Sequence, residues 1–436
     1  MKAKTILGTA ALGLALLTAA QADVTIEITG ASAFRKASLT AIKTLYTTGG
    51  SFKYAHDKTA GSLTSSTRAI FQGTFPGVTG TTTIRTNFTG SVEGVRALTL
   101  GGNYNVTYLA TSVFGNATNS GSGTEVASAA TTDAATTAEF AFSDVSKDST
   151  PLASYNLLGG SCGVVAFTMI ANEGAPANLT NVSSKQFQAL FQGGSLPASV
   201  LTGNASDTVT VYASGRNDGS GTRTTYMAET GLGITTLVNQ YITNSSYVTA
   251  GNTTIQKIYR VPATGLSSGI VGDASTDAST IWGQDLDGNG GYNSGSTLVT
   301  HFGYTSANTE VLEADGTVLN PAGPITLVSF LSTGDAITAK AAGAVILGYN
   351  GVKLDGIAGG AAALSTSDKE KITSGAYTAW SYQQFYRRTD ITSGDSLTVF
   401  NAINSGIPTA IDSTSSGVKL ADMQVGRSYD GGPVAP

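Results

Sequence analysis

The sequence of 436 residues is short of the groups that build most enzyme centres, with one cysteine and two histidines. The single Cys162 excludes an internal disulfide. His56 and His301 both fall in segments predicted as polar loops, so neither a metal centre nor another bound cofactor is predicted. Charged residues make up only 12% of the chain, with an acidic balance. This excludes the basic footprint that a nucleic-acid-binding protein usually carries.

The amino terminus has the pattern of a secretory signal. Lys2 and Lys4 precede a mostly apolar stretch at 6–17, and Ala-Gln-Ala at 20–22 fits a small-x-small cleavage site. Cleavage there removes two lysines and so lowers the formal net charge of −5 by two. No cysteine follows for a bacterial lipid anchor, and no later apolar run approaches the roughly 20 residues of a membrane helix. We expect a soluble protein that is periplasmic or secreted.

The segment Arg-Asn-Asp-Gly-Ser-Gly-Thr-Arg at 216–223 has the composition of an anion cradle. Arg216 offers a planar, two-pronged donor that Asp218 can hold in place. Two glycines allow close approach of the backbone, and amides at the start of a helix predicted from Thr224 favour an oxyanion. The residues predicted to complete this side of the site are Ser220, Gly221 and Thr222. The alternative interpretation is a surface loop that caps a helix.

Three further strand ends carry groups suited to the same ligand. The segment 24–30 is a predicted strand that runs into the turn Ser32-Ala33-Phe34, and Ser91 lies in a second turn before a predicted helix. A third strand, 139–143, ends at Asp144. Such groups meet at the carboxyl edges of α/β sheets. For Asp144 a helix N-cap is the alternative role.

Asp144 bears on which anion is bound. A carboxylate repels an anion unless the anion has a proton for it to accept. Hydrogen phosphate has one and sulfate at neutral pH has none, and an unpaired acceptor costs at least ~1–3 kcal/mol. Asp144 together with Arg216 therefore favours phosphate.

These motifs resemble the periplasmic phosphate-binding proteins of ABC importers, within the type II solute-binding family. The resemblance implies an α/β fold of two lobes joined by two hinge crossings. It also implies a site that holds inorganic phosphate or a related oxyanion, and a membrane permease as partner. The implied ligand-binding residues are Ser32, Ala33, Phe34, Ser91, Asp144, Arg216, Ser220, Gly221 and Thr222, with Asp218 in support. The chain departs from the family at Ala33, where a hydroxyl residue is usual and Ser32 could substitute. It departs again at Glu93, which would weaken anion binding unless it points outward or pairs with Arg96.

The mature chain of about 410 residues is too long for one compact core and fits two lobes. We place lobe 1 at 23–165 and 375–436 and lobe 2 at 166–374. Insertions at 48–82, 115–138 and 272–320 match nothing in the family, and 115–138 is predicted as a flexible surface loop. Asp285 to Asn289 imitates the start of a calcium loop, but position twelve is Ser296 rather than Glu. An Asp/Gly turn is the alternative there.

Two other functions stay open at this point. Residues 159–163 match Gly-x-Ser-x-Gly, but a serine hydrolase elbow needs a helix after it, and a strand is predicted here. A secreted phosphatase that uses Ser220 or a metal is therefore the weaker alternative. A secreted surface or matrix protein that keeps the fold without transport is the other. The function that the sequence favours is phosphate capture for an ABC importer, without enzymatic activity.

Overall fold

The computed structural model describes residues 23–115, 123–243, 256–261, 290–292, 294–302, 308–313, 316–414 and 417–436. The predicted signal segment 1–22 and the calcium-loop candidate at 285–289 lie outside these ranges. None of the described helices is long and apolar enough to cross a membrane. Within the same ranges no cluster of three or more His, Cys, Asp or Glu could hold a metal ion.

The described strands, in chain order, are β1 (Val24–Gly30), β2 (Phe52–His56), β3 (Arg68–Gly73), β4 (Thr82–Asn87), β5 (Thr124–Val126), β6 (Phe140–Ser143), β7 (Leu158–Ala171), β8 (Asn181–Val182), β9 (Ser195–Pro197), β10 (Thr210–Ala213), β11 (Tyr241–Thr243), β12 (Gln256–Arg260), β13 (Thr309–Leu312), β14 (Val318–Gly323), β15 (Thr326–Ser332), β16 (Val345–Tyr349) and β17 (Trp380–Arg387). The described helices are α1 (Arg35–Gly49), α2 (Ser91–Leu100), α3 (Ser184–Gly193), α4 (Ala198–Thr202), α5 (Gly221–Glu229), α6 (Gly295–Phe302), α7 (Thr333–Ala341), α8 (Asp355–Ala358), α9 (Thr366–Thr373) and α10 (Gly394–Thr414).

One long sheet runs through both lobes in the order β5-β2-β3-β4-β1-β6-β17-β7-β15-β10-β9. Strand β7 joins its two halves. Residues 158–166 of β7 pair with β17, whereas 167–171 pair with β15 and 169–171 also with β16. The chain leaves the first half along β7 and returns along β17. This double crossing confirms the expected two-lobed α/β solute-binding fold.

In each half of the sheet, the parallel strands end at the edge that faces the other lobe. In lobe 1, β1 is parallel to both β4 and β6, and α1 and α2 begin soon after β1 and β4. In lobe 2, β10 is parallel to β15, and α5 and α7 follow them. Because parallel strands end at one edge, four helix starts face the space between the lobes.

Gly30 makes the first of these turns feasible. Its φ of +112° is a backbone conformation that favours glycine, and a Cβ there would lie 2.8 Å from the carbonyl carbon of Phe142. The amide of the next residue, Ala31, donates to the Phe142 carbonyl oxygen at 2.7 Å. The chain therefore crosses tightly over the end of β6 before α1 begins.

The structure differs from the sequence predictions in three polar segments. The segment 115–138, expected as a flexible surface loop, contains the three-residue strand β5, which pairs with β2, while its other described residues form no named helix or strand. His56, expected in a polar loop, is fully buried in β2, where its Nε2 lies 2.7 Å from Glu125 Oε1. His301 also lies in a helix, α6, rather than in a loop. Strands that are distant in the sequence pair with these segments and hold them in regular structure. Local composition does not indicate such pairing.

Candidate functional site

The starts of α2 and α5 touch across the cleft. The Val92 amide in lobe 1 donates to the Gly219 carbonyl oxygen in lobe 2 at 3.1 Å. Gly221 packs so closely that an added Cβ would lie 2.6 Å from Ser91 Cβ and 2.9 Å from Asp144 Cβ. Glycine at 221 is therefore a condition of this closed arrangement.

Asp144 is the most unusual polar group in the cleft. It is 2% exposed, and its Oδ1 has no hydrogen-bond partner within the described part of the chain. Burial raises the pKa of Asp144 from 3.8 to about 7, although the Ser91 hydroxyl and the charge of Arg216 oppose the shift. A buried carboxyl oxygen without a partner is the group that a protonated ligand oxygen would satisfy.

Asp144 is held in place by neighbours on two elements. Its amide donates to Ser91 Oγ at 3.0 Å. Its carbonyl oxygen accepts from Ser381 Oγ on β17. The alternative N-cap role is not observed, since the short 3₁₀ turn that follows is capped by Ser146.

Arg216 supplies positive charge at the base of the cleft. The residue is 2% exposed, and its Nε donates to the Tyr292 carbonyl oxygen at 2.9 Å. Burial lowers the pKa of Arg216 to about 10, against the opposing charges of Asp335 and Asp144. The guanidinium therefore remains charged at neutral pH.

Helix α5 begins at Gly221, three residues earlier than predicted. Ser220 is the N-cap, and its Oγ accepts from the Arg223 amide at 3.3 Å. The amides of Gly221 and Thr222 are thus the first of the helix and have no partner within it. Both residues are buried, so the positive end of the α5 dipole faces the closed cleft.

The start of α1 contributes from lobe 1. Ser32 and Ala33 line a cavity between the lobes. Phe34 occupies the N-cap position without a side-chain cap, and its ring is fully buried in the lobe 1 core. The amides of this turn are therefore the groups it offers to an anion.

Sequence reasoning missed a charged pair across the cleft. Arg35 Nη2 lies 3.4 Å from Asp335 Oδ1, and the two side chains are only 8% and 12% exposed. Ser332 Oγ accepts from the Asp335 amide at 3.3 Å. That N-cap pattern is a readable sign of a helix start. Nothing in the sequence indicates that its partner lies 300 residues away.

The charge of Glu93 is neutralised by a partner in lobe 1. Pairing with Arg96 was one of the two conditions under which Glu93 would not weaken anion binding. Its Oε1 lies 2.6 Å from Arg96 Nη1, and its Oε2 accepts from the Tyr104 hydroxyl. Burial raises the pKa of Glu93, the Arg96 charge opposes this, and Asp218 raises it further. Asp218 therefore lies near Glu93, and its predicted support of Arg216 stays a prediction.

The Gly-x-Ser-x-Gly match at 159–163 is part of strand β7. It lacks the strand-to-helix turn of a nucleophile elbow. Cys162 is 7% exposed in the same strand, and burial raises the pKa of its thiol.

The structure is similar to solved phosphate-transport receptors over most of its length. A candidate phosphate ABC transporter substrate-binding protein from Clostridium perfringens, with bound phosphate, has a TM-score of 0.44 and 10% identity over 91% of this chain and 99% of its own. An ABC-type phosphate transport receptor from Vibrio cholerae has a TM-score of 0.43 and 11% identity over 91% and 99%. No protein-family model and no curated protein matches the sequence. At these low TM-scores and identities the structural similarity supports no conclusion about function.

Proposed function

We propose that the protein binds inorganic phosphate in the cleft between its lobes. The observation that carries the proposal is the buried Asp144, whose Oδ1 lacks a partner among the described residues while the cationic Arg216 lies close by. Helix starts supply donors for the remaining oxygens of a tetrahedral anion. Hydrogen phosphate offers both the negative charge that Arg216 attracts and the proton that Asp144 accepts.

The two sides of the site belong to different lobes. Ser32, Ala33, Phe34, Ser91 and Asp144 bind from lobe 1 (23–165 and 375–436). Lobe 2 (166–374) contributes Arg216, Ser220, Gly221 and Thr222, with Asp218 in support. Only the closed form presents both sets, so phosphate shifts the hinge equilibrium towards closure.

The wider role we infer is capture of phosphate outside the cytoplasm for an ABC permease that recognises the closed form. The signal pattern at 1–22 supports export, and the chain acts by binding rather than by catalysis. If the protein binds no anion, this would indicate instead that the fold is kept for assembly or attachment.

Calorimetric titration of the phosphate-free protein, residues 23–436, tests the proposal. We expect tight binding of phosphate and no heat with sulfate at neutral pH. Absence of heat with both anions would overturn it. Hydrolysis of a phosphate ester that is lost in Ser220→Ala would instead identify an enzyme.

A further inference from the structure

A cavity of about 210 Å³ adjoins the proposed phosphate site. Ser32 and Ala33, assigned above to that site, form part of its wall. Arg35 and Asp335 line it as well, and Asp335 is close enough to Asp144 and Arg216 to shift the pKa of both. The cavity therefore opens directly beside the position assigned to the anion.

Its size exceeds what inorganic phosphate requires. One water takes about 30 Å³ of liquid volume, so the space has room for several waters or for a substituent of several heavy atoms. Its walls come from both lobes: α1 and residues 64–65 on one side, and α7 on the other. A substituent held there would contact both lobes and would favour the closed form.

The chemistry of the lining indicates which substituent would fit. Arg35, Lys36 and Asp335 are charged, and several hydroxyl side chains surround them. The Ser32 hydroxyl, on a residue only 5% exposed, has no hydrogen-bond partner among the described residues. The apolar lining is limited to small or aliphatic side chains, and no aromatic ring is among the described lining residues. A polar, hydroxyl-bearing group suits these walls, whereas a nucleobase or an acyl chain does not.

We propose that this cavity holds the alcohol part of a phosphate monoester of a small polyhydroxy alcohol, whose phosphoryl group occupies the site at Asp144 and Arg216. The inference rests on the proposed phosphate site and names a wider ligand class for it. A monoester has a second pKa near 6. At pH 6 a proton is available for the hydrogen bond between the phosphoryl group and Asp144, either on the monoester or on Asp144, whose pKa burial raises to about 7.

The structure provides a variant that separates the two ligands. Gly334 lines the cavity, and a Cβ built on it meets no atom within 4 Å. Gly334→Leu therefore places a side chain at the cavity wall without displacing the backbone. Gly193, at the end of α3, also has open space around its Cβ, and Gly193→Leu is the matched control.

The experiment is calorimetric titration at pH 6 with inorganic phosphate and with glycerol 3-phosphate. We expect the ester to bind within about three-fold of phosphate or more tightly. Gly334→Leu should weaken the ester at least ten-fold and change phosphate affinity less than two-fold, while Gly193→Leu changes neither. Binding of phosphate alone, or equal weakening of both ligands by Gly334→Leu, would refute the ester site and leave the phosphate site standing. If neither ligand binds to the unaltered protein, both the phosphate site and the ester site are refuted.

Discussion

Replacing Asp144 by Asn should stabilise the ligand-free protein even though it harms binding. Burial raises the pKa of Asp144 from 3.8 to about 7. The native state thus retains a proton that the unfolded chain releases near its ordinary pKa. A difference of this size corresponds to at most about 4 kcal/mol of folding free energy.

The sign follows from which state binds the proton. Below pH 4 both states hold it, and the carboxyl has no effect on the pH dependence. As pH rises towards 7 only the unfolded chain releases it, so the wild type loses stability, and above about pH 7 the loss is complete. Asn has no proton to release. The advantage of Asp144→Asn should therefore grow between pH 4 and 7 and then level off.

Urea unfolding of phosphate-free protein at several pH values between 4.5 and 8 measures this difference. Burial also raises the pKa of Glu27 to about 7, so the difference between the two proteins, rather than either curve, isolates Asp144. Asp355→Asn is the control, because that side chain is 71% exposed beside Lys371 and therefore is not desolvated. If Asp144→Asn is no more stable than the wild type at pH 8, the carboxylate is not desolvated and the reasoning fails.

Substitutions at four positions test how the cleft closes on phosphate. Arg216→Ala should reduce phosphate affinity about ten-fold or more, since a charged hydrogen-bonded partner is lost; unchanged affinity in calorimetry would remove Arg216 from the site. Arg35→Gln or Asp335→Asn should each weaken binding about five-fold or more, because closure then buries one charge without its partner, and the double variant should recover part of the loss. Tighter binding by Asp335→Asn would contradict that view. Gly221→Ala should weaken binding about ten-fold or more through overlap with lobe 1, at ~1–3 kcal/mol for overpacking, whereas Gly193→Ala should have no effect; wild-type affinity in Gly221→Ala would show that the lobes need not approach this closely.

Sequence alone predicted the two-lobed fold and the segments that meet in the cleft. Short motifs at strand ends carry local information, such as the glycines and hydroxyl residues at 216–222 and the carboxylate after a strand at Asp144. Topology then brings them together, because parallel strands end at one edge. The pattern Ser-x-x-Gln at 183–186 is another local signal of this kind, and it forms the capping box at the start of α3.

The features that sequence did not reveal depend on distant contacts. Arg35 pairs with Asp335 across the cleft, and β5 orders part of a segment predicted as a loop. The start of α5 was misplaced because Gly221 is a poor helix former, yet Ser220 caps the helix one residue earlier. In the first two cases contacts distant in sequence decide the structure, whereas at α5 a local N-cap outweighs the low helix propensity of Gly221.

The most direct test of the central claim is the ratio of phosphate to sulfate affinity, measured for the wild type and Asp144→Asn between pH 5.5 and 8. The wild type should favour phosphate strongly at pH 8. Its ratio should fall as pH drops below about 7, because a protonated Asp144 can donate to sulfate. Asp144→Asn should show a small ratio at every pH. The same ratio in both proteins across this range would contradict the role of Asp144 as the acceptor of the phosphate proton.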